Sequence, residues 1–423
     1  VQHRPYWWDA AVRPDLGVAS DLPSRTDVAV VGGGYTGVAA ARALAQAGAT
    51  VTVLERATLG AGASTRNGGF VLPGFKRDAR SLVKKLGAVR ARVLYEASRA
   101  AVRFVEEFLA SEGPDCDYRK SGHLVLAAKP AHYAELEREA DVLAKVFRHQ
   151  TQLVPRTRLG EELGATAYHG ALLDPEAGAV NPAKLYWALA ASARRAGATF
   201  VEDVDVQELH RSAGRFMVRT SRGTIGAGHV VIATNGHTGG VVRALRRRII
   251  PVNSYIIATA PLGASVARAL IPRDRVVSDT RRLLSYFRIA ADTRMLFGGR
   301  VAFGKVRLQE VVKRLADAMF TLFPRLLGTD VDYHWSGNVG ATLDQLPHAG
   351  VRDGVHYALG YNGHGVALAS YLGTRLGQSV TGGDARDLEP FTQLPFRGIP
   401  LYFGRPWFLP MVGAWYRFKD GAR

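Results

Sequence analysis

An α/β fold is predicted by three features of the sequence. Residues 28–31, VAVV, form a short apolar run that stops at Gly32, Gly33 and Gly34 and passes into an Ala-rich amphipathic stretch at 36–48. Residues 50–54 form a second apolar run, closed by Glu55. Far downstream, residues 248–304 hold three strand-like runs separated by turn residues. The first two features make a βαβ unit of the Rossmann type, and the third makes an α+β domain with an antiparallel sheet.

The spacing in the βαβ unit points to a dinucleotide. Gly32 permits a tight turn, Gly34 lets backbone approach a pyrophosphate, and Gly37 lets helix and strand pack closely, while the N–H groups and dipole of the helix start face the phosphates. Glu55 lies at the tip of the second strand, where an acid accepts hydrogen bonds from a ribose. Strand, turn, helix, strand and acid fall in order, which a merely structural glycine turn does not require. The candidate contacts here are Gly32, Gly34, Tyr35, Thr36, Gly37, Glu55 and Arg56. In the loop that follows, ERATLGAGASTRNGGF, small residues surround Ser64, Arg66 and Asn67. Gly68 and Gly69 allow a second close approach to a ligand, and Arg66 suits a phosphate.

Composition bounds the remainder. A chain of 423 residues with 47% hydrophobic and 22% charged residues has room for two domains of ordinary globular character. No segment reaches the ~18 apolar residues of a membrane span, and the start, VQHRPYWWDAAVRPD, has no signal-peptide core. A cytoplasmic location without membrane association is therefore expected. Cys116, the single cysteine, sits in DCDYRKSG without metal-ligand neighbours, so a free thiol and no metal site are expected. The net charge of +18 comes from 45 Arg and 10 Lys. It reflects either the bias of GC-rich coding sequence or an anionic partner or substrate. No zinc motif or basic aromatic groove points to nucleic acid.

Taken in order, Tyr6, Trp7 and Trp8 in the lead-in are expected to cover an apolar surface near the first strand. Residues 77–112 read as helices, 122–128 as a strand and 131–147 as a helix. From Val154 the chain is expected to rejoin the nucleotide domain, with Asn181 as N-cap and Pro182 in the first turn of a helix at 183–196, then a strand at 199–202. A hairpin at 206–225 precedes a buried parallel strand at 229–234, which places Gly236 outside a strand carboxyl end, where ligands bind. Asp292 and Thr293 suit a hairpin turn, and a helix at 308–323 is stopped by Pro324. HYALGYNGHGVALASYLGTRLGQSVTG then reads as strand, glycine turn and helix. The resulting division is a nucleotide domain at 1–75, 151–247 and 331–423 and a second domain at 76–150 and 248–330.

The early Tyr6-Trp7 pair, then GASTRNGGF, GAVNPAKL, VVIATNGHTG, PVNSYIIATAPL, SDTRRLLSYFR, FGGR, WSGNVGATLDQLPHAG and GYNGHGVALA, follow one another through the chain. Together they resemble the amine-oxidising branch of the D-amino acid oxidase (DAO) family of FAD enzymes, and most closely its γ-glutamylputrescine oxidoreductase group. The resemblance implies a discontinuous FAD domain with the flavin ring at its interface to the substrate domain. It also implies non-covalent FAD, since the one cysteine lies far earlier than the linking cysteine of sarcosine oxidases. Further cofactor contacts are carried onto Val204, Ala233, Thr234, Gly236, Gly360, Gly363, His364, Gly365 and Val366. The last five are expected at the flavin pyrimidine edge, where helix N-terminal N–H groups stabilise the charge of the reduced ring.

The implied reaction oxidises the C–N bond of a primary or secondary amine to an imine, with hydride passing to flavin N5. Alignment and desolvation carry it without a required side-chain base, so no catalytic residue is assigned. Tyr255, Tyr286, Arg288 and Trp335 are the expected substrate pocket, with aromatics enclosing the amine by cation–π contact. YNGHGVALA lacks the Arg or Lys carboxylate clamp of glycine- and sarcosine-oxidising relatives, which favours a larger or secondary amine over a small α-amino acid. The expected counterpart of the oxygen-activating Lys of sarcosine oxidases, near Leu296, is apolar, so oxygen and another electron acceptor both stay open, as does the oligomeric state. One alternative is an amino acid oxidase of the glycine/sarcosine type, with Arg300 or Arg288 binding the carboxylate. The other is a flavin-containing subunit at a membrane surface, with IPLYFGRPWFLPMVGAWYRFKD as an interfacial anchor. The prolines of that tail favour packing over the flavin domain instead.

Overall fold

Val28, Ala29 and Val30 have no polar side-chain group and must be covered on both faces, which a central parallel strand provides. The computed structural model, which describes residues 1–299 and 307–421, places Arg25–Val31 in the middle of such a sheet. Its strands run in the order His348–Arg352, Val355–Leu359, Gly223–Ile232, Arg25–Val31, Val51–Leu54 and Thr199–Val201. The pairs from Val355–Leu359 to Thr199–Val201 are parallel. Gly223–Ile232 is one continuous strand. Its first half closes an antiparallel hairpin with Arg215–Thr220, and its second half is the buried parallel strand, two elements that sequence reading separated.

Helix Tyr35–Gln46 is rich in alanine, and helix Gly365–Val380 crosses it at backbone distance. A Cβ at Gly373 would stand 2.3 Å from Thr36 O, and one at Gly377 2.6 Å from Ala40 O. Helix Pro182–Arg195 packs on the same helix and is capped as expected, the Asn181 side chain accepting from Ala183 N and Lys184 N. Residues 77–112 form two helices, Ala79–Leu86 and Ala88–Glu112, broken at Gly87 with φ of 77°.

The second sheet runs Val331–Ala341, Ile250–Thr259, Met295–Gly299, Ser285–Ile289, Val276–Asp279, His123–Leu126, Gly170–Asp174 and Gln152–Pro155. Its pairings are antiparallel except between Val276–Asp279 and His123–Leu126, which are parallel. The middle strand-like run divides into two strands around the turn at 280–284. The end of the last run, at 300–304, lies outside the described residues. Helix Leu308–Leu322 covers one face. This sheet extends past the boundaries drawn from sequence: Gln152–Pro155, Gly170–Asp174 and Val331–Ala341, assigned there to the nucleotide domain, hydrogen-bond into it. Those segments carry no periodicity that distinguishes one sheet from the other.

No helix among the described residues is long and apolar enough to cross a membrane. Gly373→Ala forces a methyl group into the Thr36 carbonyl and should lower the unfolding free energy by about 1–3 kcal/mol. Denaturant unfolding measures that loss, and an unchanged midpoint would refute the close-crossing account.

Candidate active site

Both close-packed helices begin at one cavity. Gly32 takes φ of 101°, which lets the turn reverse, and a Cβ at Gly37 would stand 1.9 Å from Gly32 O. Helix Tyr35–Gln46 therefore starts against the strand end, with extended Gly34 as N-cap and no side-chain cap. Ser64 reaches across from the next loop and accepts from Tyr35 N at 2.9 Å. Glu55 accepts from Gly33 N at 2.8 Å and Ala57 N at 3.0 Å, which holds its carboxylate beside the turn. The Val204 amide donates to Glu55 O.

Residues 63–69 form the next wall. Asn67 shapes this loop, donating to Ala63 O and Ser64 O and accepting from Gly69 N. Arg66 donates to Ala61 O at 2.7 Å and stands over the Trp8 ring at 4.8 Å, and burial lowers its pKa. Trp7 and Trp8 donate to Asn67 O and Thr65 Oγ1, so the aromatic lead-in clamps this loop, and Tyr6 and Trp7 are buried in the apolar core that also holds Val28 and Val30 of the first strand.

Opposite lies a junction of three segments. Asn235, at φ of 39°, accepts from Gly360 N at 2.9 Å, and a Cβ at Gly340 would stand 2.3 Å from its Oδ1. Gly360, Asn362 and Gly363 all take positive φ, and the turn they make leads into helix Gly365–Val380, whose N-cap His364 makes no side-chain cap bond. Thr36 Oγ1 and Tyr361 Oη, 2.7 Å apart, join this turn to the first helix.

The cavity these walls enclose has a volume of about 2030 Å³. Gly32, Gly34, Tyr35, Thr36, Glu55, Arg56, Ser64, Arg66, Asn67, Gly68, Val204, Ala233, Thr234, Gly236, Gly363, His364, Gly365 and Val366 all line it. Gly37, Gly69 and Gly360 do not. They act one layer back: a Cβ at Gly69 would stand 2.0 Å from Val180 O, and one at Gly360 2.4 Å from the Thr342 methyl.

On the sheet side, Tyr286 is on the cavity, but Tyr255, Arg288 and Trp335 are not. Tyr255 points to the opposite face, against the core under helix Leu308–Leu322. Its neighbour Ser254 is the residue on the cavity, bonded to Tyr286 Oη at 2.9 Å. Strand alternation puts Ile250, Val252 and Ser254 on one face, a signal present in the sequence. Tyr286 lies across Gly298, where a Cβ would stand 2.3 Å from Tyr286 Cζ. Arg288 is 2% exposed and donates to the carbonyls of Val180, Gly69 and Gly68 at 2.8, 3.2 and 3.4 Å. Burial, aided by Arg119, lowers its pKa to about 10. Trp335 Nε1 donates to Arg66 O at 2.9 Å. Both residues lie beneath the 63–69 loop. Leu296 is buried in the core, and Arg300 lies outside the described residues. Cys116 is a buried free thiol away from the cavity, with burial raising its pKa to about 12. No metal-binding cluster is found among the described residues.

A dinucleotide fits these walls. Two helix N-termini without side-chain caps, a glycine turn without Cβ atoms and a fixed carboxylate face one continuous space. The family model for FAD dependent oxidoreductases (DAO) matches residues 27–378. The γ-glutamylputrescine oxidoreductase of Escherichia coli (strain K12) is 34% identical over 399 residues, covering 93% of this chain and 92% of that protein. A probable oxidoreductase, OrdL, of Haemophilus influenzae is 32% identical over 85% of this chain and 84% of its own length. The crystal structure of glycine oxidase from Geobacillus kaustophilus superposes with a TM-score of 0.74 at 24% identity, covering 89% of this chain and 100% of that one.

Arg288→Met leaves three carbonyls without their donor and should cost about 3 kcal/mol of stability. Unfolding of the variant measures this, and an unaltered stability would return Arg288 to the list of ligand contacts. His123, enclosed in the cavity, and His356 have pKa values lowered by burial to about 4, from 6.5. As pH falls from about 6.5 to about 4, the unfolded chain takes up protons that the folded chain refuses, so stability falls across that window. Replacing both by Gln should flatten the pH profile there.

Proposed function

Because the chain belongs to the FAD dependent oxidoreductase (DAO) family, we propose that it oxidises the C–N bond of a primary or secondary amine in the cavity described above. FAD supplies the hydride acceptor, flavin N5, when bound. The N–H groups at the start of helix Tyr35–Gln46 hold the pyrophosphate, and Glu55 accepts from the ribose. The N–H groups around Gly363–Val366 face the pyrimidine edge, where the dipole of helix Gly365–Val380 favours negative charge. No cysteine lines the cavity, which supports a non-covalent cofactor.

The observation that carries the amine reading is the state of Arg288. Of the two arginines, Arg288 and Arg300, that the amino acid alternative uses as a carboxylate clamp, Arg288 is the described one, and its N–H groups go to backbone carbonyls beneath the 63–69 loop. The floor it leaves is Tyr286 with Ser254, flanked by Phe70, Ile250 and Val252. An aromatic face and apolar neighbours desolvate an amine, which keeps it neutral and its lone pair available. Tyr286 Oη and Ser254 Oγ orient the nitrogen by hydrogen bonding. The likeness to γ-glutamylputrescine oxidoreductase makes a γ-glutamylated diamine the first candidate substrate. The electrons go to oxygen or another electron acceptor, and the proposed location is cytoplasmic.

The purified protein should show a flavin absorption band, and an amine of the right class should bleach it without oxygen. A panel of γ-glutamylated diamines, N-methyl amino acids and glycine separates the amine reading from the amino acid reading. Readmitting air reports on the acceptor. Bleaching by glycine alone would overturn the amine proposal. Gly34→Val should abolish FAD retention, and Tyr286→Phe with Ser254→Ala should lower kcat/KM by about 10-fold with FAD content unchanged.

A further inference from the structure

The C-terminal segment is stitched to the residues that lead into the strand forming the floor of the cavity. Ile399 N donates to Arg247 O at 2.9 Å, and the buried Tyr402 donates to Ile249 O at 2.8 Å. Phe408 and Leu409 then pack with Ile250 and Val252, the two residues that share a strand face with Ser254. From there helix Leu409–Gly421 begins. Leu409, Val412 and Tyr416 recur at helical spacing and line the cavity with Phe408, while Met411, Trp415 and Phe418 on the other side are exposed. Across the cavity mouth, Arg282 comes from the turn that leads into the strand carrying Tyr286. Its guanidinium stands 4.9 Å from the Trp415 ring and 5.9 Å from the Tyr416 ring. The helix is thus held at one end by the strand of Ser254 and at the other by the turn before Tyr286.

We infer that helix Leu409–Gly421 is the outer wall of the amine site and that Val412 and Tyr416 limit the length of amine it admits, an inference that rests on the amine reading above. The Tyr286–Ser254 pair fixes where the nitrogen sits. The part of the substrate distal to that pair extends toward the helix, where Val412 and Tyr416 present an apolar and aromatic surface. Arg282 holds the helix closed by cation–π contact and separates the cavity from solvent.

The test compares the full-length holoprotein with Val412→Trp, Arg282→Ala and the outward-facing control Phe418→Ala. Iodide quenching of flavin fluorescence reads closure. Arg282→Ala should raise the quenching constant about two-fold, Val412→Trp should lower it and Phe418→Ala should leave it unchanged. Equal constants in all four proteins overturn the wall. Anaerobic reduction by primary amines from ethylamine to n-octylamine reads length. Val412→Trp should raise KM for the longest amines about ten-fold while leaving the shortest and the limiting rate alone. A uniform change along the series overturns the length assignment. If neither these amines nor a γ-glutamylated diamine bleaches the flavin in any of the proteins, the amine reading and the length assignment fall together, while the iodide series still decides whether the helix closes the cavity.

Discussion

Backbone meets backbone without side chains between at the centre of this protein, and the site depends on it. Gly37 lies on the Gly32 carbonyl, and Gly373 and Gly377 lie on the carbonyls of Thr36 and Ala40. With larger residues the helices Tyr35–Gln46 and Gly365–Val380 would stand apart and their N-termini would open onto different surfaces. As built, both positive helix ends converge on one enclosed space. A cofactor with a pyrophosphate at its middle and a reducible ring at one end meets favourable potential at both places.

The second constraint is the loop at 63–69, held from below and from the side. Arg288 and Trp335 donate to its carbonyls from the sheet, and Trp7 and Trp8 donate to it from the lead-in. Four large side chains therefore serve to position a short stretch of backbone. This division of labour leaves Tyr286 and Ser254 among the sheet residues open to a ligand. It also explains why the glycines at 68 and 69 differ: one lines the cavity, and the other fits against Val180 O.

What the sequence made legible was local. The glycine turn, the acid at the strand tip, the Asn181 cap and the final glycine turn are set by residues within a few positions of one another, and these local features form as expected, although Gly37 and Gly360 stand one layer behind the cavity. The rest divides into strand parity and distant cover. Tyr255, expected in the pocket for its aromatic character, is turned to the opposite face because parity decides which face a side chain occupies. Arg288 shares its face with Tyr286, and only the overlying loop, more than two hundred positions earlier, removes it from the cavity. The sheet membership of Gly170–Asp174 and Val331–Ala341 depends on His123–Leu126 and Ile250–Thr259, partners remote in sequence that no local pattern names, and Gln152–Pro155 follows Gly170–Asp174.

The interleaving of the two sheets has a consequence for how the chain is made. Strand Val355–Leu359, which flanks Gly223–Ile232, and helix Gly365–Val380, which covers Tyr35–Gln46, both follow the last strand of the second sheet in sequence. A nascent polypeptide that has emerged from the ribosome only as far as the second sheet carries an unpaired edge on Gly223–Ile232 and an uncovered alanine-rich helix. The cofactor cradle therefore forms only once residues 355–380 have emerged, and the precursors exposed before then are the natural targets of chaperones.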